Sequence, residues 1–167
     1  EQGNGLAMYD LGKMYLDGLD CDPDETVAQE WFGKALNAFH KRERTDQRKD
    51  YWQYRVGKMH SLGHGTDQDY VASAQWFSKA AQEDNPYAQY ALGGQYQRGQ
   101  GVEQSYEQAV SLYTQAAENT SRPNAYAQYQ LGNLYKEGLG VAVDPKQSAK
   151  WYAMAYQSFL KMEQSMA

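Results

Sequence analysis

Two histidines spaced one helical turn apart are the residues of this chain whose types first suggest chemistry. His60 and His64 have the i, i+4 spacing at which two imidazoles can share a metal ion, and Asp67 follows them closely. In the repeat register described below, His60 stands where other repeats have tyrosine, and His64 stands where they have leucine or glutamine. Because strong third and fourth ligands are also lacking, we predict no metal site and no cofactor.

The single cysteine is a weak candidate for a nucleophile. A reactive thiolate needs cationic neighbours, whereas Cys21 lies next to Asp20 and Asp22. The glycine-rich turns of the chain do not follow the G-x-x-x-x-G-K-[ST] pattern of a phosphate-binding loop. We therefore predict no catalytic residue and expect that the chain is not an enzyme.

Charge and hydropathy favour a protein or a peptide as the partner. The formal net charge of the 167 residues is -5, which argues against nucleic-acid binding because that binding depends on clustered Lys and Arg. No apolar run approaches the roughly 20 residues that span a bilayer. One cysteine neither requires nor indicates an oxidising compartment, so we expect a cytoplasmic monomer. The chain lacks an initiator Met, and residues 1–4 align with the inter-repeat joint at 82–85, which predicts a fragment of a longer protein.

Four glycines mark a unit that recurs along the chain. Each of them precedes an aromatic residue or leucine by 19 residues, and the steps between successive units are 45, 36 and 39 residues. The pairs are Gly12 and Trp31, Gly57 and Trp76, Gly93 and Leu112, and Gly132 and Trp151. A unit with a constant interior and variable joints is typical of stacked helical hairpins. We predict an all-α fold, a right-handed α-solenoid of four antiparallel hairpins forming one domain over residues 1–167, with repeats at about 4–46, 47–84, 85–122 and 123–163.

Local patterns predict where the helices of each hairpin begin and end. In the third repeat, Ala88 and Leu92 follow helical spacing, Gly99 allows a left-handed helix end, and Ser105 with Gln108 forms a capping box. The predicted helices cover 5–17, 25–42, 48–62, 70–83, 86–98, 106–119, 124–137 and 145–163. Asp24, Asp69 and Asp144 are predicted N-caps. The basic joint at 41–50 contains interleaved acidic residues, so we interpret it as a solvated helix extension rather than a contact patch.

Tyrosine is the residue type that core packing leaves unexplained, since the chain has 15. On the first helix of each hairpin, two positions offset from the glycine are almost always tyrosine, and polar side chains continue the stripe toward the turn. We predict that this stripe lines a concave peptide groove, because tyrosine combines large area with a hydroxyl and few rotamers. A partly buried role in the repeat core remains open for the second position. The candidate residues are Tyr51, Tyr87 and Tyr126 at the first position, Tyr9, Tyr54, Tyr90 and Tyr129 at the second, and Lys13, Lys58, Gln97 and Lys136 beyond them.

These motifs resemble the Sel-one-like repeat (SLR) family, a relative of the tetratricopeptide repeat with a longer glycine-rich turn. The resemblance rests on Ala88-Gln89-Tyr90-Ala91-Leu92-Gly93, on Gly99-Gln100-Gly101-Val102 and on Trp76-Phe77-Ser78-Lys79-Ala80-Ala81, and it covers nearly the whole chain as four units. It implies a scaffold or adaptor that binds a protein or a peptide on a concave face formed mainly by the first helices.

Two alternative functions stay open from the sequence. The phrase Tyr-Ala-Gln-Tyr at 87–90 and 126–129 is similar to repeats that follow the relaxase domain in mobilisation proteins. That resemblance implies a docking region of a protein whose missing N-terminal part nicks DNA during transfer. The other alternative is a regulatory ectodomain of a secreted or envelope protein, which a signal peptide upstream of Glu1 would favour.

Overall fold

The computed structural model describes residues 4–166, and this part of the chain contains eight α-helices and no strand. The helices are α1 (Gly5–Asp17), α2 (Glu25–Thr45), α3 (Lys49–Leu62), α4 (Tyr70–Gln82), α5 (Pro86–Arg98), α6 (Tyr106–Ala117), α7 (Ala125–Glu137) and α8 (Pro145–Met166). The all-α prediction is confirmed, and six of the eight predicted helices end within two residues of the observed ends. The other two run further, α2 to Thr45 and α8 to Met166. Residues 1–3, most of the segment that aligns with an inter-repeat joint, lie outside the described residues.

The chain divides into two compact units, Glu1–Lys79 and Ala80–Ala167. The first unit pairs α1 with α2 and α3 with α4, and the second pairs α5 with α6 and α7 with α8. We call the first helix of each pair its A helix and the second its B helix. The A helices are thus α1, α3, α5 and α7, and the B helices are α2, α4, α6 and α8.

The caps that end and begin these helices follow the predicted residue types. The side chains of Asp24, Asp69 and Asp144 accept hydrogen bonds from backbone N–H groups in the first turns of α2, α4 and α8. Ser105 caps α6 in the same way through Gln108 N–H. The reciprocal half of the predicted capping box is wrong, because the Ser105 N–H donates to the Tyr96 carbonyl 3.0 Å away and is therefore satisfied without the Gln108 side chain.

A glycine of every A helix lies against an aromatic ring of its B helix. A Cβ built on these glycines would lie 2.5–2.8 Å from the ring. The ring belongs to the residue 20 positions further along the chain, one beyond the spacing of 19 seen in the sequence. The pairs are Gly12 with Phe32, Gly57 with Phe77, Gly93 with Tyr113 and Gly132 with Tyr152. The repeated glycine therefore permits the close approach of the two helices in each hairpin.

Two adjacent glycines of α5 allow a test of whether the close contact between the A-helix glycine and the B-helix ring stabilises the fold. A Cβ on Gly93 would lie 2.8 Å from the buried Tyr113 ring, whereas on Gly94 it would meet only the guanidinium of Arg98, at 3.1 Å, which is the far end of a flexible side chain. Gly93→Ala is expected to lower the free energy of unfolding by about 1–3 kcal/mol through overpacking. Gly94→Ala is expected to be neutral or to stabilise by up to about 1 kcal/mol through helix propensity. Urea denaturation of both variants measures the difference, and equal effects would contradict the packing argument.

Consecutive hairpins within the first unit are joined through the turn after α3. The Gln29 side chain of α2 receives a hydrogen bond from Gly65 N–H at 2.7 Å and donates to the Gly63 carbonyl at 3.0 Å. A Cβ on Gly65 would lie 2.5 Å from the backbone carbonyl carbon of Phe32. The second unit repeats the contact, since Gly140 lies equally close to the backbone of Tyr106. The second glycine of these two turns thus allows backbone-to-backbone packing between hairpins.

The last helix extends beyond the partner helix that it packs on. Phe159 of α8 contacts the Tyr126 ring edge-on, with centroids 5.1 Å apart, and the Ser158 hydroxyl donates to the Gln128 side chain at 2.8 Å. The end of α8 therefore covers part of α7. No helix within residues 4–166 combines the length and the apolar character that crossing a membrane requires.

Candidate protein-interaction surface

The first tyrosine position of the A helices differs between the two units. In the second unit, Tyr87 and Tyr126 are 47% and 52% exposed, although both lie on helices whose neighbouring residues are buried. In the first unit, by contrast, Tyr51 is half-buried and packs against the core. The guanidinium carbon of Arg48 lies 5.3 Å from the centroid of its ring. The large exposed rings of this position thus belong to the second unit.

The second tyrosine position takes part in the interior of every hairpin. Each of these rings lies against the aromatic ring that covers the A-helix glycine, with centroids 5.2–5.8 Å apart. The pairs are Tyr9 with Phe32, Tyr54 with Phe77, Tyr90 with Tyr113 and Tyr129 with Tyr152. Tyr129 differs from the other three, because 48% of its surface stays exposed. These residues therefore support the hairpin, and only Tyr129 also offers a large accessible surface.

The polar residues predicted to extend the stripe lie in two different environments. Lys13, Lys58 and Lys136 are exposed. Gln97 is half-buried, and its side-chain oxygen accepts a hydrogen bond from the Tyr113 hydroxyl at 2.8 Å. Burial raises the pKa of Tyr113, so its hydroxyl keeps the proton that it donates. Gln97 thus satisfies a buried hydroxyl, and a partner that used this side chain would have to compete with that bond.

Three neighbouring rings form an aromatic row in the second unit. The ring of Tyr90 lies 6.0 Å from that of Tyr126, which in turn contacts Phe159 at 5.1 Å. Phe159 was not among the residues predicted for this surface, because it lies on a B helix. The sequence did contain a signal for its position. An aromatic residue in the last turns of a helix that is longer than its partner has few buried positions to occupy.

The two histidines of the second repeat do not converge on a common ligand. The His64 ring stacks on Phe32 with centroids 4.1 Å apart, and its Nδ1 lies 3.1 Å from the Tyr9 hydroxyl. The Nδ1 of His60 is buried. Among residues 4–166, no group of three or more His, Cys, Asp or Glu side chains could hold a metal ion.

All three histidines belong to the first unit, and their pKa values predict a dependence of stability on pH. Burial lowers the pKa of His40, His60 and His64, and for His64 the charges of Lys13 and Lys58 lower it further. The unfolded chain therefore binds more protons than the folded chain at mildly acidic pH, so the free energy of unfolding is expected to fall as the pH drops from about 7 to about 5.

Replacing one of these groups isolates its share of the pH effect. His64→Leu introduces the residue found at the equivalent positions Leu19 and Leu139, and it is expected to make the loss of stability on acidification smaller. Thermal unfolding of both proteins across this pH range measures the effect. An unchanged pH dependence in the variant would show that His64 does not contribute.

The joint between the first two hairpins contains a cavity of about 800 Å³. Its lining combines the apolar side chains of Leu6, Phe39 and Trp52 with the basic side chains of Arg42 and Arg48. The predicted helix extension is confirmed, since α2 continues to Thr45 with exposed arginines, and Asp46 lies 3.9 Å from both Arg42 and Arg48. This cavity of the first unit is a candidate contact surface in addition to the exposed tyrosines of the second unit.

Comparison with known proteins identifies the family to which this architecture belongs. The Sel1 repeat family model matches residues 5–38, 53–85, 86–121 and 125–158. The chain therefore belongs to the Sel1 repeat family, whose members generally act as protein-interaction modules. The resemblance stated from the sequence is confirmed.

Two solved structures are similar over most of the chain. The c5321 protein, a protective antigen of uropathogenic Escherichia coli with an SLR fold, is 27% identical over 93% of this chain, with a TM-score of 0.70. A Sel1 repeat protein from Oxalobacter formigenes is 30% identical over 93% of the chain, with a TM-score of 0.66. The chain spans 38% and 58% of the length of these two proteins. No curated protein matches the sequence.

Proposed function

We propose that this chain is a non-enzymatic interaction module that binds a segment of a partner protein on the tyrosines of its A helices. The observation that carries the proposal is the exposed aromatic surface of the second unit, where Tyr87, Tyr126 and Tyr129 each leave about half of their surface in solvent. Tyrosine rings of this kind supply contact area at a small cost in side-chain entropy, which is why they dominate many binding surfaces.

The surroundings of these rings favour binding over a purely structural role. Tyr126 lies between Tyr90 and Phe159, so a group placed on its free face would also meet neighbouring aromatic edges. The interior of the hairpin is already filled by the ring pair of Tyr129 and Tyr152 and by the buried Leu131 and Leu134. Exposed rings that are fixed by their neighbours need little ordering when a partner binds.

Tyrosine NMR with library-selected peptides tests the location of the surface. Random peptides displayed on phage are selected against the full chain, and the ring signals of the labelled tyrosines are followed during titration with a selected peptide. We expect the signals of Tyr87, Tyr126 and Tyr129 to shift most. Shifts confined to the B-helix tyrosines Tyr70, Tyr106 and Tyr156 would place the site elsewhere and contradict the proposal.

The joint cavity is the competing location, and the same titration detects it. A peptide bound between Phe39 and Arg48 would change the indole signal of Trp52, which lines the cavity, and the ring signal of Tyr51, which contacts both Trp52 and Arg48. Changes at Tyr51 and Trp52 without changes at Tyr126 would assign the interaction to the joint.

A further inference from the structure

Three cations in the first unit lie near one another without a carboxylate partner. Lys13 on α1 and Lys58 on α3 each follow the A-helix glycine directly, and Arg55 precedes the second glycine by two residues. Within residues 4–166, no ion pair closer than 4.0 Å involves Lys13, Arg55 or Lys58. The three cations are therefore not neutralised by direct contact, in a chain that carries 21 acidic residues.

Aromatic faces hold two of these cations in place. The guanidinium carbon of Arg55 lies 4.8 Å from the centroid of the Tyr9 ring and 5.2 Å from that of Phe39. The Lys58 ammonium lies 6.0 Å from the centroid of the Tyr54 ring. A ring face attracts a cation but leaves its N–H donors without the lone pairs of an acceptor. The arrangement thus orients Arg55 and Lys58 while keeping their hydrogen-bonding capacity.

Arg55 also connects the two A helices of the first unit, because it belongs to α3 and reaches Tyr9 on α1. The hydroxyl of Tyr9 and the Nδ1 of His64 lie 3.1 Å apart beside it. This pair adds a neutral donor and acceptor to the group of cations.

The largest single charge effects on Tyr9 and His64 come from the cations. Asp10 and Asp17 on α1 are the acidic residues whose charges reach Tyr9 and His64. At Tyr9 the charge of Arg55 has a larger effect than either aspartate, and at His64 the charges of Lys13 and Lys58 both exceed that of Asp17. Partial desolvation of its ammonium, which is the larger cause, and the neighbouring charges of Arg55 and Lys13 lower the pKa of Lys58, although part of this side chain is exposed. Mutual repulsion therefore persists in this group, and a bound anion would relieve it.

From this geometry we propose that Lys13, Arg55 and Lys58 form an anion site that receives the carboxylates of an acidic segment, rich in Asp or Glu, in the partner protein. The inference rests on the proposed function, and it adds the chemistry of the partner. Arg55 offers the planar pair of donors that matches a carboxylate, and the lysines supply charge at its sides. A short acidic segment fits better than nucleic acid, because three cations can pair with a few carboxylates, whereas nucleic-acid binding depends on a larger cluster of Lys and Arg.

A labelled hexaglutamate peptide tests the site by fluorescence anisotropy at low ionic strength. We expect the full chain to bind hexaglutamate and not hexaglutamine. The double variant Arg55→Gln/Lys58→Gln is expected to lose affinity by about tenfold or more, since truncating a group paired with a bound charge has effects of this size. Added salt is expected to weaken the binding.

A matched double variant controls for the change in net charge. Lys34 and Lys79 are exposed lysines of the B helices in the same unit, and each lies over a tryptophan ring, at 4.2 Å and 4.1 Å. Lys34→Gln/Lys79→Gln removes the same charge and is expected to leave hexaglutamate affinity within about twofold of the wild type. Equal losses in the two double variants, or no binding of hexaglutamate by the wild type, would overturn the proposal.

Three further results show whether a failure lies in this inference or in the function on which it rests. If a single-stranded oligonucleotide binds through Arg55 and Lys58 while hexaglutamate does not, the site is not one for acidic peptides. If hexaglutamate fails while library-selected peptides still shift the signals of Tyr87 and Tyr126, the anion site is wrong and the interaction module stands. If hexaglutamate binds while library-selected peptides shift neither tyrosine signal, the anion site stands and the proposed tyrosine surface is wrong.

Discussion

Gly65→Ala is expected to lower the free energy of unfolding by about 2–5 kcal/mol. Gly65 has φ of 73°, where an alanine side chain costs about 1 kcal/mol or more. The new Cβ would also lie 2.5 Å from the carbonyl carbon of Phe32 and 2.6 Å from the Gly33 nitrogen. Those backbone atoms belong to α2 and cannot move by a side-chain rotation. The clash can therefore be relieved only if one hairpin moves away from the next.

Gly63→Ala is the matched control, because it has nearly the same backbone strain without the same clash. Its φ is 68°, but a Cβ there would meet only atoms of Gln68 at 3.2–3.5 Å, within its own turn. We expect a loss of about 1–2 kcal/mol for this variant. Urea denaturation of the full-length variants measures both values, and equal losses would show that backbone conformation, rather than contact between hairpins, determines the requirement for Gly65.

The first repeat shows why the second turn glycine is needed only where hairpins stack. Asp20 replaces that glycine with φ of 59°, and aspartate is one of the few residue types that adopt a left-handed conformation. The Asp20 side chain is exposed, whereas Gly65 lies against the backbone of α2. An aspartate side chain therefore fits at Asp20, whereas the positions of Gly65 and Gly140 leave no room for one.

Most of the fold could be predicted from the sequence, because its signals are local and occur four times. Glycine at helix ends, aspartate or serine at N-caps and the constant spacing within a repeat each have a short-range physical cause. The end of α2 was harder to predict. The helix continues through a charged segment because Thr45 bonds to the Lys41 carbonyl and Asp46 pairs with Arg42.

The roles of the stripe residues could be predicted only in part, because they depend on contacts between distant positions. Gln97 was predicted to extend the stripe together with the lysines, but its side chain accepts a hydrogen bond from the Tyr113 hydroxyl. A signal for this exists in the sequence: the ring over the A-helix glycine is Phe in the first two repeats and Tyr in the last two. Asn133 likewise accepts the Tyr152 hydroxyl at 2.6 Å, as a buried tyrosine hydroxyl needs a partner.

Arg55 was missed for a different reason. Its contact with Tyr9 joins two repeats whose separation in sequence depends on the long joint, and no helical periodicity aligns the two residues. The path of a long side chain across a helix pair follows from tertiary packing, which the repeat pattern alone does not specify.

Loss of partner binding is the expected result of replacing Tyr87 and Tyr126 together by alanine. Truncating a central aromatic side chain in an interface commonly costs about 2 kcal/mol or more. The two changes are therefore expected to lower the affinity for a library-selected peptide by about a hundredfold or more, since each 1.4 kcal/mol is a factor of ten. Stability should change little, because both rings are about half exposed and Tyr126 loses mainly its contacts with Tyr90 and Phe159.

Tyr156→Ala is the control for this double variant. Tyr156 is a tyrosine of the same unit, 61% exposed, but it lies on α8 rather than on an A helix. Its replacement removes an exposed ring without changing charge, so nonspecific loss of aromatic surface would affect it as well. We expect peptide affinity to stay within about twofold of the wild type.

Isothermal titration calorimetry of one library-selected peptide with the wild type, Tyr87→Ala/Tyr126→Ala and Tyr156→Ala, with thermal unfolding of each protein, tests the interaction surface most directly. If the partner binds on the tyrosines of the A helices, binding is lost in the double variant alone, and all three proteins melt at similar temperatures. The opposite result would contradict it: a double variant that melts many degrees lower, and whose folded fraction still binds the peptide normally, would mean that these tyrosines stabilise the fold and that the partner binds elsewhere.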